Sequence, residues 1–406
     1  MRGFVSSIRR SLSMGADGRP ARAVTISGAD YGKVLEMIQI RYLPNYVIGQ
    51  NLLTVLNMFV NYGVEAKPNQ LGNDFVRQIV EKVINPFIAG MASLGAASDL
   101  NRLSYFQELE CEATASAGTI SAFGAQAAQG TIWDVLRGFL DVGPWTELFI
   151  EDRPDQMDDP NRPGGVVLVY RDNPFKDLDP ARGYIMPAAT KADVLVVADD
   201  SVIALDVGRS DSDVANYFQV NMPRMALMDA ATMNLAGQQS NPDAFYLAKH
   251  PNATPTLYGL RFMEADTQMG GADSLGRVDG QSESVVKDGQ VKGRLWIDDR
   301  RAQLMAMNKD NVVFESGSIT LRGQATLRPG MYLRIQHGQS GAALKPFVWE
   351  CYVVAVQHRM LPFQGYVTVA TFERGTMFAE RIRRGAGLES AYLAEWNQAG
   401  ATGGRR

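Results

Sequence analysis

The sequence is poor in the residues that usually carry chemistry. Its 406 residues include two cysteines, Cys111 and Cys351, and three histidines, His250, His337 and His358. Two cysteines cannot make a disulfide framework. Reduced thiols in a cytosolic assembly are the expectation, with a single bridge as the alternative. No histidine has a zinc-ligand spacing such as H-E-x-x-H, and no C-x-x-C occurs. The G-x-S-x-G elbow of hydrolases is missing. No run of about 18 apolar residues is present, which excludes a transmembrane helix. The first residues carry Arg2, Arg9 and Arg10 without the apolar stretch of a secretory signal. The expectation is a chain made in the cytoplasm that leaves it only inside an assembly. With 40 basic and 44 acidic residues, the net charge of −4 argues against a nucleic-acid binder with a basic surface. No cofactor motif is found, and no repeat of solenoid length.

What is present is ordinary globular material: 46% hydrophobic and 21% charged residues, enough for two or three domains with cores. The most informative stretch is 314–375. Val348, Glu350, Tyr352 and Val354 fall on one face of a pleat, and Trp349, Cys351, Val353 and Ala355 on the other. Tyr366–Phe372 repeats that period, and both runs are rich in β-branched and aromatic residues. Pro362 and Gly365 punctuate the connection, and Leu327-Arg328-Pro329-Gly330 reads as a turn with Gly330 at positive φ. The spacing predicts at least four antiparallel strands, most simply a small barrel.

Earlier in the chain, Phe4–Arg10 and Ala21–Ser27 read as a hairpin about a Gly15–Gly18 turn, with Asp30 as a plausible N-cap for a helix beyond it. Residues 35–148 have helical character. Leu52 to Val60 and Phe75, Ile79, Val83 and Ile84 keep an i, i+3, i+4 spacing, and Pro86 should end or kink the second helix. Residues 111–130 are small and read as a loose segment. Thr131 caps a short helix to Leu140, and Leu148–Glu151 and Val166–Tyr170 are strands. The Asp-rich loop between them lacks the calcium-loop spacing and reads as an exposed tip, as do Asp177, Asp179, Asp199 and Asp200. Val194–Val197 and Val202–Val207 are strands, Ser210 or Asp211 caps a turn, and Tyr217–Val220 returns to strand. Ala226–Leu235 reads as a Met-rich helix, residues 270–292 as a mobile loop, and Ile297–Met307 as a helix.

Several of these pieces resemble one family. G-S-I-T-L-R-G at 317–323, L-R-P-G-M-Y-L-R-I at 327–335 and Y-V-V-x-V-x-H with P-F and E-R-G at 352–375 stand in the order and spacing of bacteriophage tail hub proteins. That group includes the late-control and baseplate-hub proteins and the base of the type VI secretion spike. The S-G-A-D-Y-G-K junction at 27–33 is similar to the same family, as are Tyr170, Arg171, Pro174 and Phe175 after a Glu-Leu-Phe strand, and Asn216-Tyr217-Phe218. The resemblance marks Gly28, Asp30, Tyr170, Arg171, Tyr217, Phe218, Arg322, Gly323, Pro329, Gly330, Pro362, Phe363 and Gly375 as structural motif residues, with no catalytic, cofactor or metal residue.

The resemblance implies an α+β chain with two small antiparallel β-barrels, a largely helical insertion and a mixed second insertion. Residues 1–30 would start the first barrel, 31–148 form the helical insertion, and 149–224 supply hairpins that complete the first barrel and start the second. Residues 225–310 would be the mixed insertion, 311–376 the terminal barrel, and 377–406 a basic helix and tail. The implied role is a structural tail hub: a homotrimeric ring that adapts the sixfold tail tube to a threefold spike, in the virion tail, assembled in the host cytoplasm. Its partners would be the tube protein and the spike protein. Members of the family usually carry strands before the segment matched by Gly3-Phe4-Val5, so the first barrel is expected to be incomplete here. A separate polypeptide encoded upstream is the expected source of the missing strands, with a neighbouring subunit or later strands as alternatives. The competing functions are a peptidoglycan-hydrolysing tail enzyme and a carbohydrate-binding β module.

Overall fold

A computed structural model describes residues 3–14, 20–40, 69–94, 107–116, 118–121, 130–153, 164–176, 192–221, 250, 252–270, 283–336, 348–361 and 365–377. In chain order the strands are β1 (Gly3–Met14), β2 (Pro20–Asp30), β3 (Gln39–Ile40), β4 (Asn69–Leu71), β5 (Glu110–Ala113), β6 (Thr119–Ser121), β7 (Gly130–Thr131), β8 (Thr146–Asp152) and β9 (Val166–Asp172). They continue with β10 (Val194–Ala198), β11 (Val202–Gly208), β12 (Tyr217–Asn221), β13 (Phe262–Asp266), β14 (Met269–Gly270), β15 (Glu315–Arg322), β16 (Tyr332–Gln336), β17 (Val348–Leu361) and β18 (Gly365–Met377). The chain is α+β and divides into two compact units. One comprises Met1–Asp172, Met222–Met228 and Thr267–Trp296, and the other the remainder.

In the first unit, β9 is central, with β5 parallel to it on one side and β8 antiparallel on the other. All seven residues of β9 are buried, which is why Val-Val-Leu-Val-Tyr runs apolar without alternation. Helices supply the rest of the core through Val34, Leu35, Phe75, Val76, Ile79, Ile84, Val135 and Leu136. Asn85 ties the helical part to the approach to β5: its side-chain amide donates to the Leu109 carbonyl at 3.1 Å and accepts from the Leu109 amide at 2.8 Å. The helix Gly72–Ile79 does not stop at Pro86. It widens into a π turn over Val80–Ile84 and resumes as Asn85–Leu94. A proline has no N–H to give and crowds the carbonyl four residues back. The wider turn just before it absorbs the mismatch, so the apolar stripe continues.

Thr131 caps the Ile132–Phe139 helix, with reciprocal bonds between Thr131 and Asp134 at 3.0 and 3.1 Å. The 111–130 stretch holds the strands β5, β6 and β7, more regular than its small residues suggest. The helix expected from Ile297 begins earlier and spans Glu283–Asn308. Residues 283–292, expected as part of a mobile loop, are helical; Gly289 among them costs about 1 kcal/mol against Ala. Packing of the later turns, where Leu304 and Met307 are buried, offsets that cost and lets the helix propagate back.

The second unit is built on a six-stranded sheet in the order β10-β16-β17-β18-β15-β11. Its inner face carries Ile319, Leu321, Leu333, Ile335, Trp349, Cys351, Val353, Ala370 and Phe372, packed with Leu327 and Val197. Trp349, Cys351 and Val353 thus face this core, while Glu350 and Tyr352 on the opposite face are buried as well. β17 and β18, of 14 and 13 residues, pair along their length with irregularities at Glu350/Tyr352 and Val353/Ala355. Such bulges bend and twist a long hairpin.

β10 and β11 are neighbours in sequence but do not pair. β10 runs parallel to β16, and β11 antiparallel to β15, at the two ends of the sheet. A short 3₁₀ turn, Asp199–Ser201, ties those ends together. The sheet is therefore curled until its first and last strands lie within reach of a three-residue link. Its ladder stays open between them among the described residues.

The expected barrels are corrected accordingly. The terminal strands form a curled open sheet, and β1 and β2 pair only with each other. Closure requires a ladder at every junction, and the described residues lack one at β10/β11 and on either side of the β1–β2 hairpin.

Candidate functional site: the assembly surfaces

Among the described residues, the two cysteines are in packed surroundings and His250 and His358 have polar partners. Burial pushes the Cys111 thiol up to about 12, and burial, helped by Glu350, raises the Cys351 thiol well above its ordinary value. Both cysteines are free. Thiols held protonated are poor nucleophiles and poor ligands. On β17, His358 Nδ1 lies 3.1 Å from Thr368 Oγ1 and 2.9 Å from Tyr366 Oη, both on the facing strand. It is a cross-strand hydrogen-bonding residue with no carboxylate to orient it among these partners. His250 Nε2 lies 3.6 Å from Asp310; His337 lies outside the described residues.

The motif residues are distributed over both units. Gly28 faces the other strand of the hairpin so closely that a Cβ there would lie 2.5 Å from the Phe4 carbonyl oxygen. Asp30 does not cap the Lys33–Met37 helix as expected. It ends β2, and its carboxylate accepts from the Gly32 amide at 3.0 Å. The chain needs a tight turn before the helix, and a side chain in that position bonds locally. Tyr170 is buried, with its hydroxyl donating to the Leu140 carbonyl at 3.2 Å. Arg171 donates to Glu147 at 3.0 Å and lies over the Phe149 ring at 5.2 Å.

Tyr217 on β12 stacks edge-on with Phe262 at 4.9 Å, while Phe218 points to the other face and is fully buried. Arg322 ends β15. The Gly323 amide donates to the Tyr366 carbonyl at 2.8 Å, and a Cβ on Gly323 would collide with the Tyr366 ring. After Pro329, Gly330 takes φ +82° and its amide donates to the Val353 carbonyl at 2.9 Å. A Cβ on Gly375 would meet the Trp349 ring at 2.7 Å. Pro362 and Phe363 lie outside the described residues, as do the 52–60 and 226–235 helices and the Asp177 and Asp179 turn.

One cluster escaped sequence reasoning. On the outer face of β16 and β17, Tyr332 and Tyr352 are buried and stack on each other at 5.1 Å. Buried Glu350 sits beside them between Lys176 at 2.9 Å and Arg334 at 2.6 Å. Phe175 stacks edge-on with Tyr352 at 5.3 Å and receives Arg374, whose guanidinium carbon is 3.9 Å from its ring centroid. Arg374 has φ +56° and donates to the Met307 carbonyl at 2.9 Å. The Pro-Phe segment after β9 and the Glu-Arg-Gly segment of β18 thus meet as the two halves of one stacked, charged cluster. Their separation of some two hundred residues hid it: no local spacing rule joins Phe175 to Arg374.

No family model matches this chain, and no curated protein does. Among solved structures it is similar to a tail protein from Neisseria meningitidis MC58, with 12% identity and a TM-score of 0.40, over 91% of this chain and 79% of that one. A likeness of that depth assigns neither role nor fold.

Among the described residues, two strands or strand pairs carry rows of exposed apolar side chains. On the hairpin, Ile8, Leu12, Met14, Val24 and Ile26 are 61–74% exposed. On β11, Ile203, Leu205 and Val207 are 41–58% exposed. Exposed apolar rows on unpaired strands serve as templates for another chain. Among the described residues no group of three His, Cys, Asp or Glu gathers to hold a metal ion, and no helix is long and apolar enough to cross a membrane.

Proposed function

We propose that the chain is a structural hub of a bacteriophage tail. Three copies form a ring that adapts the sixfold tube to a threefold spike, with the tube protein on one face and the spike protein on the other. Each copy would contribute two bodies, and six such bodies around the ring would match the tube. The observation that supports this most is the terminal sheet. The segments 317–323, 327–335 and 352–375, which resemble the hub family in order and spacing, fold into one continuous curled sheet around a shared core. The stacking of Phe175 with Arg374 joins a further matching segment to it. Placement in the virion tail, after assembly in the host cytoplasm, belongs to the same reading, as does the absence of catalysis.

The test is a cryo-EM reconstruction of the assembled tail. Three copies at the tip of the tube are expected, with an obligate contact burying on the order of 2,000 Å² or more. One copy or six at that position would sink the reading.

A further inference from the structure

The β1–β2 hairpin is amphipathic in a way its own unit does not use. Directly paired residues of an antiparallel ribbon point to the same side. Ile8 faces Ile26, Arg10 faces Val24 and Leu12 faces Arg22, so one side is aliphatic with arginines interleaved. The other side carries Ser7 with Ser27, Arg9 with Thr25 and Ser11 with Ala23. Among the described residues its base is anchored through Phe4, whose ring lies 5.7 Å from that of Tyr31. A two-stranded ribbon with a bare apolar face is marginal in water and needs a further strand or a packed surface.

The hairpin is also basic in an acidic protein. Residues 1–27 hold five arginines (Arg2, Arg9, Arg10, Arg19 and Arg22) and one acid, Asp17, in a chain whose net charge is −4. The complementary surface is in the same sequence. Residues 194–213 hold five aspartates and one base, Arg209, which is already bonded to Glu315 at 2.9 Å. Within that stretch β11 is an edge strand with no second neighbour among the described residues. Leu205 lies opposite Ile319 of the core, so the inner apolar face of the sheet runs out uncovered at this edge. Asp200, Asp206 and Asp211 are exposed beside it.

We propose that the hairpin of one copy adds to the β11 edge of a second copy of this chain. The added strand continues the backbone ladder, its aliphatic side chains carry the apolar face on past Leu205 and Val207, and its arginines meet the aspartates. The inference takes the homotrimer of the proposed function and names its contact. In the homotrimer of the proposed function the contact is heterologous, each copy giving its hairpin to one neighbour and receiving one from the other.

Cross-linking tests it on the full chain. Leu12→Cys and Leu205→Cys both alter exposed residues, burial raises both native thiols above their ordinary value, and the unsubstituted chain serves as the control for them. The two purified variants are mixed and treated with a short bismaleimide. A two-chain product is expected from the mixture and not from either variant alone. Adding Arg10→Glu and Arg22→Glu to the Leu12→Cys chain should abolish the product, and Asp200→Arg with Asp206→Arg in the other chain should restore it. The inference is overturned if the mixture gives no two-chain product, or if a chain carrying both cysteines links only to itself. Linkage of Leu12→Cys to a different tail polypeptide in its place would also overturn it. Three copies at the tube tip without this cross-link would remove the docking contact and leave the hub reading; the cross-link without a threefold ring in tails would do the reverse.

Discussion

At Gly330 the backbone stands at φ +82°, and its amide closes the Arg-Pro-Gly turn onto Val353. A β-branched side chain resists that region strongly. Gly330→Val should therefore destabilise the terminal sheet by roughly 1–3 kcal/mol, read as a lower denaturation midpoint and a loss of soluble protein. A wild-type midpoint would show that the turn relaxes to another type. Cys111 and Cys351 make a second prediction. Burial holds both thiols protonated, with Cys111 at about 12. Iodoacetamide at mildly alkaline pH should label the folded chain slowly at both positions and label it completely after denaturation. Fast labelling of either in the native protein would mean that its surroundings open.

The Ile132–Phe139 helix owes its start to a reciprocal cap, the Thr131 hydroxyl accepting from the Asp134 amide while the Asp134 carboxylate accepts from the Thr131 amide. Thr131→Ala should cost about 1 kcal/mol, measured by urea denaturation at neutral pH. The side-chain bond from Thr131, then its backbone bond, holds the Asp134 carboxyl below its usual value. A depressed carboxyl contributes stability above its unfolded pKa and loses it as pH falls through the folded one. The gap between wild type and Thr131→Ala should therefore narrow in acid below about pH 4. A gap that does not change with pH would mean that the Asp134 charge adds nothing to the cap.

At the scale of the whole molecule, several candidate reactive groups among the described residues are already engaged. His358 is bonded to a threonine and a tyrosine, and the cysteines are buried or half-buried. Buried Glu350 is already shared by two cations, Lys176 and Arg334. A peptidoglycan hydrolase needs two free carboxylates across a sugar cleft, or a metal or thiolate centre. A zymogram on cell-wall material should accordingly show no clearing by the purified chain. Clearing that disappears with a single carboxylate substitution would replace the hub reading with the hydrolase one.

The sequence by itself determined the elements whose signals are local. The period-two runs at β17 and β18, the apolar run of β9, the Thr131 cap and the Pro329-Gly330 turn follow from residue spacing within one or two turns of chain. Tertiary structure decided how those pieces join. β10 and β11 flank one turn, and only the long-range ladders to β16 and β15 place them at opposite ends of one sheet. Pro86 reads as a break, and a π turn absorbs it because the buried stripe on both sides rewards continuing the helix. The Phe175–Arg374 stack joins residues far apart in the chain, and its stability comes from the shared burial of two segments. The bare face of the hairpin could be read only after folding, because alternation in a sequence marks an apolar side without saying whether the fold covers it.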